Sequence, residues 1–466
     1  MNLISAHLDP GSRVPLYIQL HDHLAFEISS GGIREHERLP GRRQAAKLLG
    51  VSLSTVDSAY QLLASEGYII SHPRSGFTAC RIEPLSPPVV SEPSIPAPPH
   101  ETPSSPLCSF ETGGMDTSLF PFKTWGRLFK DALYNRPDLL NRGDPCGDAD
   151  LREAISLYLH HSRGVACTSD RIIVGAGMEY LLGLLCHLLK GRRAAVEDPG
   201  YPKIHQILGS FGMEVSFIPL DKYGMEPEAL ARSGADIAYL TPSHQFPTGA
   251  VTPAGRRTEL LKWASDRPGR YVIEDDYDSE FRFDGRPMPC MQTLDPIRVI
   301  YIGTFSRTIA PAIRIAYMVL PPALMEQYRR DFTFFSSTVS RFEQQALRRY
   351  IAEGHFGRSL SRMKNRYRDR RDMLIAALHD AFGQDCRLEN THTGLSFLFR
   401  SGSMTPEEVV SRRARELGLA VNGLDLYRFL PAATPHPACF VLGFGTLDEK
   451  SIPAAVSLLK RAIYDI

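Results

Sequence analysis

The sequence predicts a multidomain chain: a small helical head ending in a β-hairpin, a proline-rich linker, and a large α/β body on a mainly parallel sheet. Three observations predict it. Nine of the 35 prolines fall between Arg81 and Pro106. Ahead of them, short amphipathic helices lead into two β-like runs. Behind them, apolar β-branched runs alternate with helical patterns. A length of 466 residues also implies two to three domains at roughly 150 residues each. Hydrophobic residues at 43% and charged residues at 23% exclude a disordered or fibrous chain. The balance of 53 Lys+Arg against 52 Asp+Glu leaves +1, so whole-chain charge points to no partner. No apolar run reaches the ~20 residues of a membrane span; the longest, Leu181 to Leu189, holds a His and stops at Lys190. The start lacks a basic-then-apolar secretory signal. Eight Cys are scattered without a C-x-x-C pair, a pattern of reduced thiols rather than disulfides or zinc. The expectation is a cytoplasmic protein without a metal site.

The head is placed at residues 13–80. Pro15 to Ile33 carries Leu16, Ile18, Leu20, Leu24 and Ile28 at helical spacing, and Leu39-Pro40 breaks the pattern. A second helix is expected over Arg43 to Leu49, closed by Gly50. Ser52 or Ser54 caps a third, which turns Val56, Tyr60, Leu62 and Leu63 inward and ends at Glu66-Gly67. Tyr68 to Ile70 and Phe77 to Ala79 read as strands around the turn His72-Pro73-Arg74-Ser75-Gly76. Helix, helix, turn, helix and hairpin make a winged helix-turn-helix, whose third helix enters the major groove. The linker, 81–107, is short of backbone donors and large apolar groups. It should be extended and could span roughly 80 Å.

The body, 108–466, begins with buried strands expected at Ile172–Val174, Ala194–Val196, Val215–Pro219, Ile237–Thr241, Tyr271–Ile273, Val299–Tyr301 and Ala316–Leu320. Helices over Leu151–His160, Glu179–Leu189 and Arg256–Ala264 separate several of them. A parallel sheet gathers its polar chemistry at the C-terminal strand ends, and there the sequence places Glu274 to Phe281, Thr241 to Gly249 and Gly303 to Arg307. Gly175-Ala176-Gly177-Met178 opens a helix after another strand and offers N–H groups to a phosphate. The acidic run could suggest Mg²⁺; the hydroxyls, aromatics and Arg around it fit a phosphorylated aromatic cofactor better.

The stretch LPGRRQAAKLLGVSLSTVDSAYQLLASEGYIISHPRSGFTA resembles the DNA-binding domain of GntR-type regulators. The resemblance implies DNA contacts from Arg42, Arg43, Ser52, Ser54 and Thr55 around the helix starts, and from His72 and Arg74 on the wing. Leu53 stands where the family usually has a polar contact, and Gly41 where it usually has Ser. The head carries eight Lys/Arg against six Asp/Glu between Arg13 and Arg81, too little for one isolated head to bind tightly.

The segments SLFPFKTW, GDPCGDADLREAISLYL, EDPGY, TPSHQFPTG, EDDYDSEFRF, GTFSRTIAPAIRIAY and VLGFG resemble fold-type-I aminotransferases, and with the head they resemble MocR/GabR-type regulators. That resemblance implies a fold-type-I pyridoxal-phosphate-dependent transferase-like domain with a smaller α+β C-terminal subdomain, and a homodimer. It also implies a cofactor site. Asp275 would pair with the ring nitrogen, Tyr277 donate to the ring hydroxyl and Tyr201 stack on the ring. Gly177, Met178, Thr304, Ser306 and Arg314 would hold the phosphate.

One departure decides the chemistry. The family's Schiff-base Lys is Arg307 here. A guanidinium stays protonated and cannot form the imine, so no catalytic residue is assigned. Two readings follow: pyridoxal phosphate or an adduct is bound noncovalently, or the pocket has lost the cofactor. Lys203, two residues past Tyr201, is a candidate substitute amine, though carboxylate binding fits it better. No Arg or Lys lies within Phe440 to Gly445 to clamp a substrate carboxylate; the nearest upstream is Arg428. The expected function is a transcription regulator that binds operator DNA and senses a small effector. The alternative is a working aminotransferase with an accessory head.

Overall fold

The computed structural model describes residues 8–12, 14–72, 76–82, 106–284, 288–332, 334–431 and 436–464. The chain divides into two compact units, Met1–Pro103 and Ser104–Ile466. The extended linker expected over 81–107 lies mostly outside the described residues.

The first unit runs α1 (Leu16–Ser29), β1 (Arg38–Leu39), α2 (Arg42–Leu49), α3 (Leu53–Ser65), β2 (Ile69–His72) and β3 (Gly76–Ala79). The first helix stops short of the expected Ile33, because Ser30 caps it and Gly31 takes φ +80°. Gly50 closes α2 in the left-handed conformation, φ +66°, which glycine adopts without cost. Ser52 is the residue that caps α3; its hydroxyl accepts from the Thr55 amide at 3.1 Å. Val56, Ala59, Tyr60 and Leu63 pack inward against Leu20, Leu24 and Ile28. Leu62, expected inside, is only half-buried, and Ala59 takes its place in the core. The hairpin β2–β3 gains a third strand: β1 pairs with β3 antiparallel, Leu39 opposite Phe77. The Leu39-Pro40 break is thus the end of a sheet strand.

The second unit continues with β4 (Cys108–Ser109), α4 (Phe122–Asn135), α5 (Ala149–Arg163), β5 (Ile172–Gly175), α6 (Met178–Leu188), β6 (Arg193–Asp198), α7 (Pro202–Ser210), β7 (Glu214–Asp221), β8 (Gly224–Met225), α8 (Pro227–Arg232), β9 (Ile237–Leu240), α9 (Ala254–Ser265), β10 (Tyr271–Asp276), α10 (Met291–Leu294), β11 (Val299–Thr304) and β12 (Ala316–Val319). Eight strands form one sheet in the order β5-β12-β11-β10-β9-β6-β7-β8. The run β11, β10, β9, β6, β7 is parallel; β12 is antiparallel to β11 and to β5, and β8 to β7. The C-terminal ends of β5, β6, β9, β10 and β11 therefore open on the same side. All seven expected strands are present. Two runs are not wholly buried: Tyr271 at the start of β10 is half-buried, and of Val215 to Pro219 only Ile218 is buried, because β7 lies next to the sheet edge. Leu181, Leu185, Ile204, Ile273 and Ile300 belong to the apolar layer on one side of the sheet, and Leu151, Ile155, Val174 and Tyr301 to the layer on the other. Each such burial stabilises by roughly 1.5–3 kcal/mol.

The chain then adds α11 (Pro322–Asp331), α12 (Arg341–Ala352), α13 (His355–Phe382), β13 (Arg387–Glu389), β14 (Ser396–Arg400), α14 (Glu407–Glu416), β15 (Leu419–Ala420), β16 (Asn422–Gly423), β17 (Cys439–Gly443) and α15 (Ile452–Tyr464). The antiparallel order β13-β14-β17-β16, with α13, α14 and α15, is the smaller α+β subdomain. It is joined to the large sheet beside the cavity: the Asp198 carboxylate at the end of β6 accepts from the Phe429 and Leu430 amides at 2.9 and 3.1 Å. Among the described residues, no helix is long and apolar enough to cross a membrane.

Candidate functional site

Alternation along β10 sorts its acidic run. Glu274 and Asp276 share one face and have structural partners. Glu274 accepts from the Met291 and Gln292 amides at the start of α10, both at 2.9 Å. Asp276 meets Arg163 Nε at 2.8 Å and the Tyr301 hydroxyl at 2.5 Å, all buried. Asp275 faces the other way, into a cavity of about 270 Å³. The acidic run is thus divided between two faces rather than gathered as one ligand set for Mg²⁺.

The cavity lies at the C-terminal strand ends. Met178, Tyr201, Asp275, Tyr277, Thr304, Ser306, Arg307 and Arg314 all line it, joined by Thr112, Gly113, Glu179, Lys203, Thr241, Phe246 and Pro311. Asp275 accepts from the Tyr239 hydroxyl at 2.5 Å. Tyr239 stands on β9 opposite Ile273, so the same two-residue alternation points both groups to one face. Burial pushes the Asp275 carboxyl up to about 7, with Asp276, Asp278 and Glu197 adding to the rise. Glu197, at the end of β6, accepts from the Thr241 hydroxyl at 2.6 Å and is likewise raised to about 7 by burial.

The Tyr277 hydroxyl lies 2.9 Å from His244 Nδ1, which is also 2.9 Å from Asp278. Tyr201, more than a third exposed, meets Phe246 edge-on at 5.5 Å. On the opposite side, Thr304 Oγ1 donates to Ser306 Oγ at 3.0 Å. Arg307 Nη1 donates to the Thr112 carbonyl at 2.5 Å. Arg314, in the left-handed region at φ +53°, pairs with Glu179, whose other oxygen is 3.7 Å from Lys203 Nζ.

Gly177 stands behind this cluster. Its φ is +92°, and a Cβ there would come within 2.3 Å of the Arg314 guanidinium. Its amide, expected to face a phosphate, donates instead to the Gly175 carbonyl at 2.8 Å. The amide at the open start of α6 is that of Met178, the first helical residue. Arg428 is held by Asp425 at 3.0 Å. A cluster elsewhere, Glu407, Asp425 and His436, has metal-like proximity, but both Glu407 oxygens take backbone amides, from Asp425 and Cys439.

In the head, Arg42, Arg43 and Ser54 line one shallow groove with Gly41, Gln44, Leu53 and Asp57. Arg42 is drawn aside: it pairs with Asp57 and lies over the Phe77 ring. Ser52 shares its hydroxyl with Ser54 and Thr55, each at 2.8 Å, so its first duty is the helix cap. His72 on the wing strand bonds Thr78 at 2.8 Å. Arg74 lies outside the described residues.

A winged helix-turn-helix ahead of an aminotransferase-like body is the architecture of a DNA-binding transcription regulator. The chain matches the family "Bacterial regulatory proteins, gntR family" over residues 16–78 and "Aminotransferase class I and II" over 107–415. An uncharacterized HTH-type transcriptional regulator of Bacillus subtilis, YhdI, is 36% identical, with 98% of each chain covered. The probable rhizopine catabolism regulatory protein MocR of Rhizobium meliloti is 32% identical over 98% of this chain and 95% of that one. The kynurenine aminotransferase of Pyrococcus horikoshii, solved with PMP, shares the fold of the body: TM-score 0.68, 24% identity, 78% of this chain and 92% of that one. The chain belongs to the MocR-type family of transcription regulators, whose bodies have the fold of pyridoxal-phosphate enzymes.

Proposed function

We propose that the protein is an effector-controlled regulator: residues 13–80 bind operator DNA, 81–107 tether, and 108–466 dimerise and sense pyridoxal phosphate or an adduct of it without a covalent bond. The observation that carries this reading is one cavity holding Asp275, Tyr277, Thr304, Ser306 and Arg314 together with Arg307. A bound pyridoxal phosphate would supply an aromatic ring with a protonatable nitrogen and a phosphate dianion. Asp275 would hold the ring nitrogen, Tyr277 the ring hydroxyl and Tyr201 the ring face. The Met178 amide, Thr304, Ser306 and Arg314 would hold the phosphate, with Gly177 as the backing that admits Arg314. Arg307 cannot be the nucleophile; it can ion-pair with a phosphate or a ligand carboxylate. Occupancy controls DNA binding only if the ligand prefers one arrangement of the dimer.

Added pyridoxal phosphate should raise the melting temperature by mass action, and borohydride should leave no cofactor mass on the protein. Arg307→Lys should gain both a visible absorbance band and a borohydride-fixed adduct. A fixed adduct on the unaltered protein would overturn the noncovalent reading and point to Lys203. No thermal shift, and no band in Arg307→Lys, would leave a regulator with a different effector. Light scattering should give a dimer at micromolar concentration.

A further inference from the structure

We infer that Leu53 reads sequence: its exposed side chain packs on the 5-methyl group of a thymine in the operator. The inference rests on DNA binding by the head. Leu53 is the first residue of α3, the helix that enters the major groove in this architecture. It is 48% exposed, while Val56, Tyr60 and Leu63 on the same helix are fully buried, so it takes no part in the core. It shares its groove with Arg43, Gln44 and Ser54, while Arg42 is committed to Asp57.

The chemistry of the groove selects the contact. In the major groove only thymine, among the four unmodified bases, presents a methyl; the other edges present donors and acceptors. A leucine set against those edges leaves polar groups unpaired, which costs more than an apolar contact returns. Leu53 therefore favours a T·A pair where its neighbours have polar choices. Gln44 beside it carries the donor and acceptor that suit adenine.

The test uses the full chain and a duplex selected by it from a random 20-base-pair library. Each thymine of that duplex is replaced singly by deoxyuridine, which removes only the methyl. One thymine per half-site should lose about three- to fivefold in affinity, the size expected for one methyl contact. Leu53→Ala should lose that sensitivity while keeping salt-dependent binding. Leu53→Gln should select a different base at the same position. Sensitivity that survives in Leu53→Ala, or an unchanged selection by Leu53→Gln, would overturn the inference. So would an enriched duplex with no sensitive thymine, which leaves DNA binding standing and points Leu53 to a protein partner. A library that yields no enriched sequence removes DNA reading and the inference together.

Discussion

Arg43, Gln44 and Leu53 stand exposed on the head, whereas Asp275, Asp276 and Glu197 in the body are each 5% exposed. Both groups belong to regions suited to a ligand, but they are held differently. The head's groove rests on an apolar core in which Arg43, Gln44 and Leu53 take no part. The body's cavity is built from the same buried hydrogen-bond network that holds the strand ends together. Exposed residues can thus change binding without changing stability, while buried ones carry both.

The largest effect should come from breaking the buried pair behind the cavity. Arg163→Met leaves the buried Asp276 carboxyl without its ion-pair partner, with the Tyr301 hydroxyl still bonded to it, and should cost about 3–5 kcal/mol in denaturant unfolding of the body. A loss below about 1 kcal/mol would erase the contrast with the head.

The next effect is the pH dependence of the body. Asp275 rises from 3.8 to about 7 and Glu197 from 4.5 to about 7 on folding. Each is raised, so its stabilisation is present in full below the unfolded value and is lost as pH climbs through the folded one. Between pH 5 and pH 8 the body should lose on the order of a few kcal/mol from the two together. Melting curves at several pH values check this, and Asp275→Asn should flatten the slope. Pyridoxal phosphate should flatten it too, because a protonated ring nitrogen restores the carboxylate's charge. A pH-independent melting temperature would mean that the carboxylates stay charged with partners of their own.

The smallest effect sharpens the other side. Arg43→Ala should weaken operator binding by about 1–3 kcal/mol if Arg43 reads a base, with stability unchanged within about 0.5 kcal/mol. A gel-shift titration and a melting curve on the same preparation measure both. Unchanged affinity would place Arg43 on the solvated face.

The sequence made the head's helices and the seven sheet strands legible, because their apolar periods are unbroken. The strand-end rule marked the whole run Glu274 to Phe281, and the family resemblance singled out Asp275 within it. Its hydrogen-bond partner Tyr239 was not singled out, although the alternation Ile237, Tyr239, Thr241 marks one face of β9. Glu197 lay inside a recognised segment without an assigned role, since only pairing of β6 with β9 brings it to Thr241. The Thr112 carbonyl that takes Arg307 has no side-chain signature and lies 195 residues away. The strands β13, β15 and β16 are two or three residues long, too short to show a period. The engagement of the Gly177 amide is likewise a matter of local φ, which no residue pattern displays.

Glu179 gives the Arg314 side of the cavity an unusual economy of charge. Its carboxylate is bonded to Arg314 and lies close to Lys203. A dianion arriving there does not meet two unclaimed cations; it competes with a resident anion tethered to the first turn of α6. Anion binding at this wall would be an exchange of partners, its net strength the difference between two sets of ion pairs. Displacement also releases the Glu179 side chain, so the exchange converts the arrival of a ligand into the departure of a charged group from its seat.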